Sequence, residues 1–459
     1  MSSWAATELV SANFGDARLT RRLIGLTTAL VAHPTASVPE ACGTPAATKA
    51  AYRFWDHDAV TPQAIHAAHQ QALLGRLAGV SSLLAIQDTT ALNFTAHPAT
   101  RDLGPLHAPT QHGLWVHSVL LAEPDAAPLG ILDQRVWARD PATVGISKQR
   151  RQRITGEKES QRWLDAQAAT LDRLPATVRV VTVADREADI FDLFAAPRRP
   201  GADLLIRAAH DRALAEHATR LWQTIRAAPA WGTQMMTLRR ADDRPPRDAM
   251  LTLRATTVTL LPPRHHPQRA TLTPVTVSLV LASEEAPPAE TPPVIWLLVT
   301  TLPVTTPSEA ATCLRWYAQR WLIERWHFVL KSGCAIEKLQ LETAARLERA
   351  VATYSVVAWR LLWLTYQARA TPDAPCSVAL DEAEWQALWC YTHRLPLPPA
   401  TAPPLGEAVR WIARLGGHQG RKGDGAPGVQ TIWRGLRHLE DLTAMYLLLR
   451  TPVGLMGNA

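Results

Sequence analysis

The segment YAQRWLIERWHFVLKSG (317–333) places Tyr317, Arg320, Glu324 and Lys331 at spacings that bring them within roughly 60° of one another on an α-helix turning about 100° per residue. A carboxylate between two cations and a phenol can hold a metal or grip a phosphate. The same spacing also fits a solvated stripe with an Arg320–Glu324 ion pair four residues apart. Trp316, Trp321, Trp326 and Phe328 crowd that helix, and a plain solvated stripe has no use for so many rings. Asp88 closes the apolar run LLAIQD and Asp185 closes VVTVAD, so each is read as ending a strand at the rim of a cleft, where a rigid sheet can present a metal ligand. Taken singly, each reads first as a cap or turn residue: ADREAD reads as a helix start with Asp185 as its N-cap. Together two aspartates and a glutamate form a hard-oxygen set for two Mg²⁺, with Mn²⁺ able to substitute. Such a pair activates a water or 3′ hydroxyl and stabilises the leaving oxygen in phosphodiester chemistry.

These residues need a scaffold, and its elements are legible. VSSLLAIQDTT (80–90), GLWVHSVLLAE (113–123), GILDQRVWARD (130–140), VRVVTVADRE (178–187) and DLLIRAAHD (203–211) are strand-like, with helical EKESQRWLDAQAATLDRL (157–174) before the fourth. Three strands, a helix and two more strands is the order of a ribonuclease-H-like mixed sheet, although other α/β domains share it. TLTPVTVSLVLAS (271–283) and VIWLLVTT (294–301) suggest a β-rich insertion, and one long helix is predicted from Pro307 to Ser332. Helices are also predicted at 18–33, 48–55, 62–77 and 346–367 and near the C-terminus, with LPLPPATAPPLG (395–406) as a linker or loop. The expected fold class is therefore α/β: a ribonuclease-H-like mixed-sheet catalytic core with a β-rich insertion, plus helical N-terminal and C-terminal domains. The expected divisions are 1–65, 66–372 with its insertion at about 212–304, and 373–459.

The composition agrees with a folded chain: of 459 residues, 47% are hydrophobic and 19% charged. A net charge of +7 favours a polyanionic partner without proving one. The five cysteines show no zinc spacing and predict reduced thiols. The N-terminus lacks a basic, then apolar, leader pattern, and no apolar run approaches the roughly 18 residues of a membrane span. A cytoplasmic chain without a membrane partner is expected.

LLAIQDTTALNF, VHSVLLAE, KESQRWL, ADREADIFD and Y-x2-R-x3-E-x6-K, in that order, resemble the motifs of bacterial cut-and-paste DDE transposases of the Y-R-E-K insertion-sequence group. The likeness runs from GDARLTRRL near residue 15, through AAYRFW, to ARLGG at 413–417. It implies that Asp88, Asp185 and Glu324 are catalytic and bind Mg²⁺, and that Tyr317, Arg320 and Lys331 hold transposon-end DNA. It further implies that Trp296 stacks on a base turned out of the helix, for which a tryptophan buried in a hairpin is the alternative. Arg207 matches a DNA-contacting arginine, and where a second basic residue is expected the chain has Ala209, so that part of the phosphate clamp is either missing or supplied by Arg212. Arg18, Arg21, Arg22, Lys49 and Arg53 align with the end-recognition module. The basic run SKQRRQRITGEK (147–158) reads as a loop over the DNA.

The partners so implied are double-stranded DNA, as inverted repeats and as target, and a second copy of the chain in a synaptic complex. The stripe Ile432, Leu436, Leu439, Leu442 and Tyr446 is either core packing or dimer contact. The rival functions are a structure-selective nuclease that cuts without joining, and an inactive relative kept as a DNA-binding regulator.

Overall fold

A computed structural model describes residues 4–108, 110–143, 154–215, 219–238, 246–421 and 423–450. The chain opens with helices α1 (Trp4–Leu9), α2 (Ala17–Ala32), α3 (Val38–Cys42), α4 (Pro45–Asp56) and α5 (Pro62–Gly75). Asp16, Thr44 and Thr61 cap α2, α4 and α5 by accepting a backbone N–H, with proline in the first turn of the latter two, where a missing N–H costs nothing. The strands are β1 (Ser82–Asn93), β2 (Gly104–Pro105), β3 (His112–Ala122), β4 (Pro128–Trp137), β5 (Arg179–Ala184), β6 (Ala202–Arg207), β7 (Ala230–Leu238), β8 (Arg247–Leu260), β9 (Val275–Ser283) and β10 (Ile295–Thr300). Among them lie α6 (Gln161–Arg173), α7 (Phe191–Ala195) and α8 (Leu221–Ala227). After them come α9 (Pro307–Ala318), α10 (Trp321–Phe328), a π-turn at Val329–Gly333, α11 (Ala344–Ala370), α12 (Glu382–His393), α13 (Leu405–Leu415) and α14 (Val429–Arg450).

All ten strands form one sheet, ordered β2-β3-β1-β5-β6-β10-β9-β8-β7, with β4 on β3. β1, β5 and β6 run parallel, β3 runs antiparallel to β1, and β4 runs antiparallel to β3. This is the ribonuclease-H-like core expected from the element order. The β-rich insertion is not a separate layer: β10 pairs antiparallel with β6, so β7–β10 prolong the core sheet.

Alternation along the strands sorts the two faces. Leu84 and Ile86 of β1 and Val181 and Val183 of β5 enter the core shared with α10 and α11. Leu83, Ala85 and Val180 enter the core beneath α6. Because side chains alternate, Asp88 and Asp185 fall on the same face as Ile86 and Val183, towards α10.

Two expectations need correction. Asp88 does not end its strand: β1 continues to Asn93, with Asp88 opposite Ser118 of β3. What ends there is the pairing with β5, whose last partners are Ile86 and Val183. The expected long helix is also broken. Gln319, Arg320, Leu322 and Ile323 donate to the carbonyls three residues back, which overwinds the chain, and the π-turn then underwinds it through Cys334 N–H to the Val329 carbonyl at 2.7 Å. Tyr317, Glu324 and Lys331 therefore stand on three consecutive segments.

Candidate active site

Carrying the β1–β5 register two residues past Ile86 and Val183 brings Asp88 level with Asp185 where the strands part. Each carboxylate is steadied by one backbone N–H: Thr89 donates to Asp88 Oδ1 at 2.8 Å and Glu187 to Asp185 Oδ1 at 2.9 Å. Asp185 is thus the N-cap that its sequence also suggested, here of a short 3₁₀ turn at Arg186–Ala188. Burial pushes the Asp88 carboxyl up to about 7; the Asp185 charge adds to this, Arg320 opposes it and Glu324 adds again. Asp88 therefore lies in the field of both other carboxylates.

Helix α10 is fixed over the sheet by Ile323 and Trp326, both fully buried, each such burial stabilising by about 1.5–3 kcal/mol. From the same helix Glu324 acts on the Asp88 charge, and Arg320 donates to its carboxylate. The alternative of an intrahelical ion pair is thus realised within the cluster itself. Burial works against the Arg320 charge, yet Tyr317, Glu324 and Asp88 together hold its guanidinium protonated. Burial lowers the Lys331 ammonium, while Glu337 and Asp88 pull it back. The sequence reading missed His327, three residues beyond Glu324: its Nδ1 is 3.7 Å from Asp88 Oδ2, and burial, then Lys331 and Arg320, push it down to about 3. Its only signal was a histidine spaced to share the glutamate's helix face.

Among the described residues, no three His, Cys, Asp or Glu side chains stand close enough to hold an ion as placed. Glu324 is turned to Arg320, and Asp185 to the Glu187 N–H. The donor set nevertheless fits a hard divalent cation. It is all carboxylate, and its mutual repulsion around Asp88 is what a cation would relieve.

A cleft of roughly 930 Å³ adjoins the cluster, lined by Arg186, Arg207, Arg247, Arg315, Gln319 and Trp296 among others. Trp296 is half-buried and meets Tyr317 edge-on, centroids 5.1 Å apart at 73°. Tyr317 is only 3% exposed, so it belongs less to a polar helix face than to the floor between Trp296 and the arginines. Burial raises its phenol pKa, and Arg320 and Arg207 oppose the rise. The buried Nε atoms of Arg207 and Arg320 have no partner. Arg212 is not the replacement for the cation expected near Ala209. Only 9% exposed, it is bonded to Asp189 at 2.6 and 3.1 Å, and that carboxylate also accepts the N–H groups of Ala209 and His210.

The other candidate DNA contacts lie apart from the cluster. Arg18, Arg21, Arg22, Lys49 and Arg53 are exposed on α2 and α4; Arg18 pairs with Asp16, while Lys49 and Arg53 share a surface groove with Tyr52. Residues 147–153 of the basic run lie outside the described residues. In the C-terminal stripe, Ile432 and Leu439 are buried against α12 and α13, and the Tyr446 hydroxyl donates to Gln386. Core packing accounts for those residues, leaving Met445, Leu448 and Leu449 at least half exposed. All five cysteines are free, and no described helix is long and apolar enough to cross a membrane.

Three family models match the chain. Residues 1–60 match the transposase DNA-binding model, residues 155–359 the transposase DDE domain, and residues 356–446 the transposase Tn5 dimerisation domain. The DDE match contains Asp185 and Glu324, and Asp88 precedes it. With these three matches in chain order on a ribonuclease-H-like sheet, the chain belongs to the Tn5-type DDE transposases, enzymes that bind DNA, dimerise and use divalent metal ions.

Proposed function

We propose that this transposase excises a mobile element at its terminal inverted repeats and joins it to target DNA, with one active site per protomer performing every step. The observation that supports this reading is that Asp185 and Glu324 both act on the Asp88 charge, next to the Arg207–Tyr317–Arg320 group and Trp296. Residues 1–65 would read the end, 66–372 carry the chemistry and 373–459 pair the protomers. Asp88, Asp185 and Glu324 would hold two Mg²⁺, or Mn²⁺ in their place, which when bound supply an activated oxygen nucleophile and a stabilised leaving oxygen.

Arg320 and Lys331 grip phosphate by charge-assisted hydrogen bonds, Arg207 adds its unpartnered Nε, and the Tyr317 hydroxyl donates in a fixed direction. Trp296 receives an extruded base. Stacking of this kind recovers about 1–3 kcal/mol of the cost of unstacking. Water attacks the phosphorus at the element end and the 3′ oxygen leaves as a hydroxyl. That hydroxyl attacks the opposite strand to give a hairpin, a second water opens it, and the freed 3′ end attacks target DNA. Arg18, Arg21, Arg22, Lys49 and Arg53 hold the inverted repeat.

The test incubates donor DNA bearing the element ends with a target plasmid and Mg²⁺. Joined products are expected, and Asp185→Ala should abolish them. Cleavage without joining would replace the proposal with the nuclease reading, and end binding without cleavage would replace it with the regulator.

A further inference from the structure

On the face of the sheet away from α10 lies an arginine to which the proposed chemistry gives no role. Arg162, in the first turn of α6, is 16% exposed and uses all three guanidinium nitrogens. Nε donates to Thr89 Oγ1 at 3.0 Å, Nη2 to Glu187 Oε2 at 2.8 Å and Nη1 to the Glu159 carbonyl at 2.8 Å. Its first two acceptors belong to the residues whose backbone N–H groups hold the aspartates, Thr89 for Asp88 and Glu187 for Asp185. Thr89 is fixed from both sides: its hydroxyl accepts from Arg162 and shares a hydrogen bond with His117 Nδ1 at 2.8 Å. The guanidinium lies beside the Trp163 and Trp137 rings, 5.6 and 6.0 Å from their centroids.

The strap spans the place where the backbone stops holding the strands together. Pairing of β1 with β5 ends at Ile86 and Val183, so no ladder bond sets the distance between Asp88 and Asp185. A planar fork with donors aimed at both sides can set it, whereas a lysine ammonium is a single point on a flexible stem. We infer that Arg162 is a positioning residue that fixes the separation of Asp88 and Asp185 so that both carboxylates can serve one divalent cation. This inference rests on the proposed reading of the two aspartates as metal ligands.

The test measures Mn²⁺ binding by electron paramagnetic resonance in the full-length chain bound to a terminal-repeat duplex. Wild type is compared with Arg162→Lys, Arg162→Ala, Thr89→Val and Asp185→Asn, alongside duplex binding in EDTA and thermal unfolding. Arg162→Lys and Arg162→Ala should bind Mn²⁺ about tenfold or more weakly, in the range typical of residues that orient ligands. Thr89→Val should shift affinity in the same direction by less. Duplex binding in EDTA should be unchanged. Wild-type Mn²⁺ affinity in Arg162→Lys and Thr89→Val overturns the inference and leaves Arg162 as helix-to-sheet packing, and these two variants decide the matter even if Arg162→Ala does not fold. Weaker duplex binding in EDTA overturns it in favour of a direct DNA contact. Asp185→Asn separates the two levels: Mn²⁺ retained there sinks the ligand reading itself, whereas Mn²⁺ lost there but unchanged in Arg162→Lys sinks only the strap.

Discussion

Two clusters of buried charge in this transposase are built to opposite ends. At the junction of the N-terminal helices with the sheet, Glu8 accepts from His69 Nδ1 at 2.6 Å and from Arg76 at 2.7 and 3.0 Å, while Ile131 N–H donates to His69 Nε2 at 2.9 Å. Burial alone would raise the Glu8 carboxyl, but His69 and Arg76 overcome it and hold it at about 2. At the sheet rim, Asp88 is pushed up to about 7, and the Nε of Arg320 and the Nε2 of His327 lack partners. A buried charge whose bonds are complete fastens elements together. One left in repulsion, among donors without acceptors, has the chemistry that the proposed cation and phosphate would satisfy.

Charge-removing substitutions should separate the clusters most strongly. Asp88→Asn should lower strand cleavage by roughly 10³-fold or more, yet leave the unfolding midpoint in EDTA unchanged or raised, because like-charge repulsion is relieved. Glu8→Gln should do the reverse, costing about 3–5 kcal/mol of stability as a broken buried pair, with cleavage retained by the folded fraction. Chemical denaturation and a cleavage assay on both variants check this. If Asp88→Asn destabilised as much as Glu8→Gln, the contrast would collapse.

Acid sharpens the same comparison. Because the folded Glu8 value of about 2 lies below its ordinary 4.5, its stabilisation is present above pH 4.5 and is lost as pH falls towards 2. The loss is about 3 kcal/mol in all. Urea midpoints from pH 5 to pH 3 should fall more steeply for wild type than for Glu8→Gln.

A smaller effect is expected where helices α13 and α14 cross. A Cβ on Gly435 would run into the Ile412 carbonyl oxygen, and one on Gly416 into that of Thr431. Gly435→Ala should cost about 1–3 kcal/mol as overpacking and reduce the dimer fraction seen by sedimentation, with the active site untouched. Smallest of all, Lys49→Ala and Arg53→Ala should each weaken end binding and flatten its dependence on log salt by about one unit. A salt slope left unchanged would remove those exposed residues from the interface.

Much of the catalytic sheet was legible because alternation and helical periodicity are local signals. LLAIQD, VVTVAD and the 161–173 helix stand close to where their patterns put them. Strands β7 and β8 were not individually legible. β7 is exposed along most of its length and so shows no clear alternation, and its place depends on β8, which depends on β9. Helix α1 was missed because six residues carry too little periodicity, and it is held by Glu8 through contacts more than sixty positions away.

The candidate site divides in the same way. Residue type and order put forward Asp88, Asp185, Glu324, Tyr317, Arg320 and Lys331 as a constellation, and the resemblance of the ordered motifs gave them their roles, since singly such residues also read as caps and ion pairs. Tertiary structure decided which similar residues are committed elsewhere. Arg212 reads like a phosphate ligand but is spent on Asp189, and Ile432 and Leu439 are spent on the C-terminal core. It also drew in His327 and Arg162, whose surroundings come from strands and helices distant in the chain. The sequence by itself determined the chemistry on offer, because that resides in the side chains. Only the fold decided which side chains were left unsatisfied, because satisfaction depends on neighbours that the chain brings together over hundreds of residues.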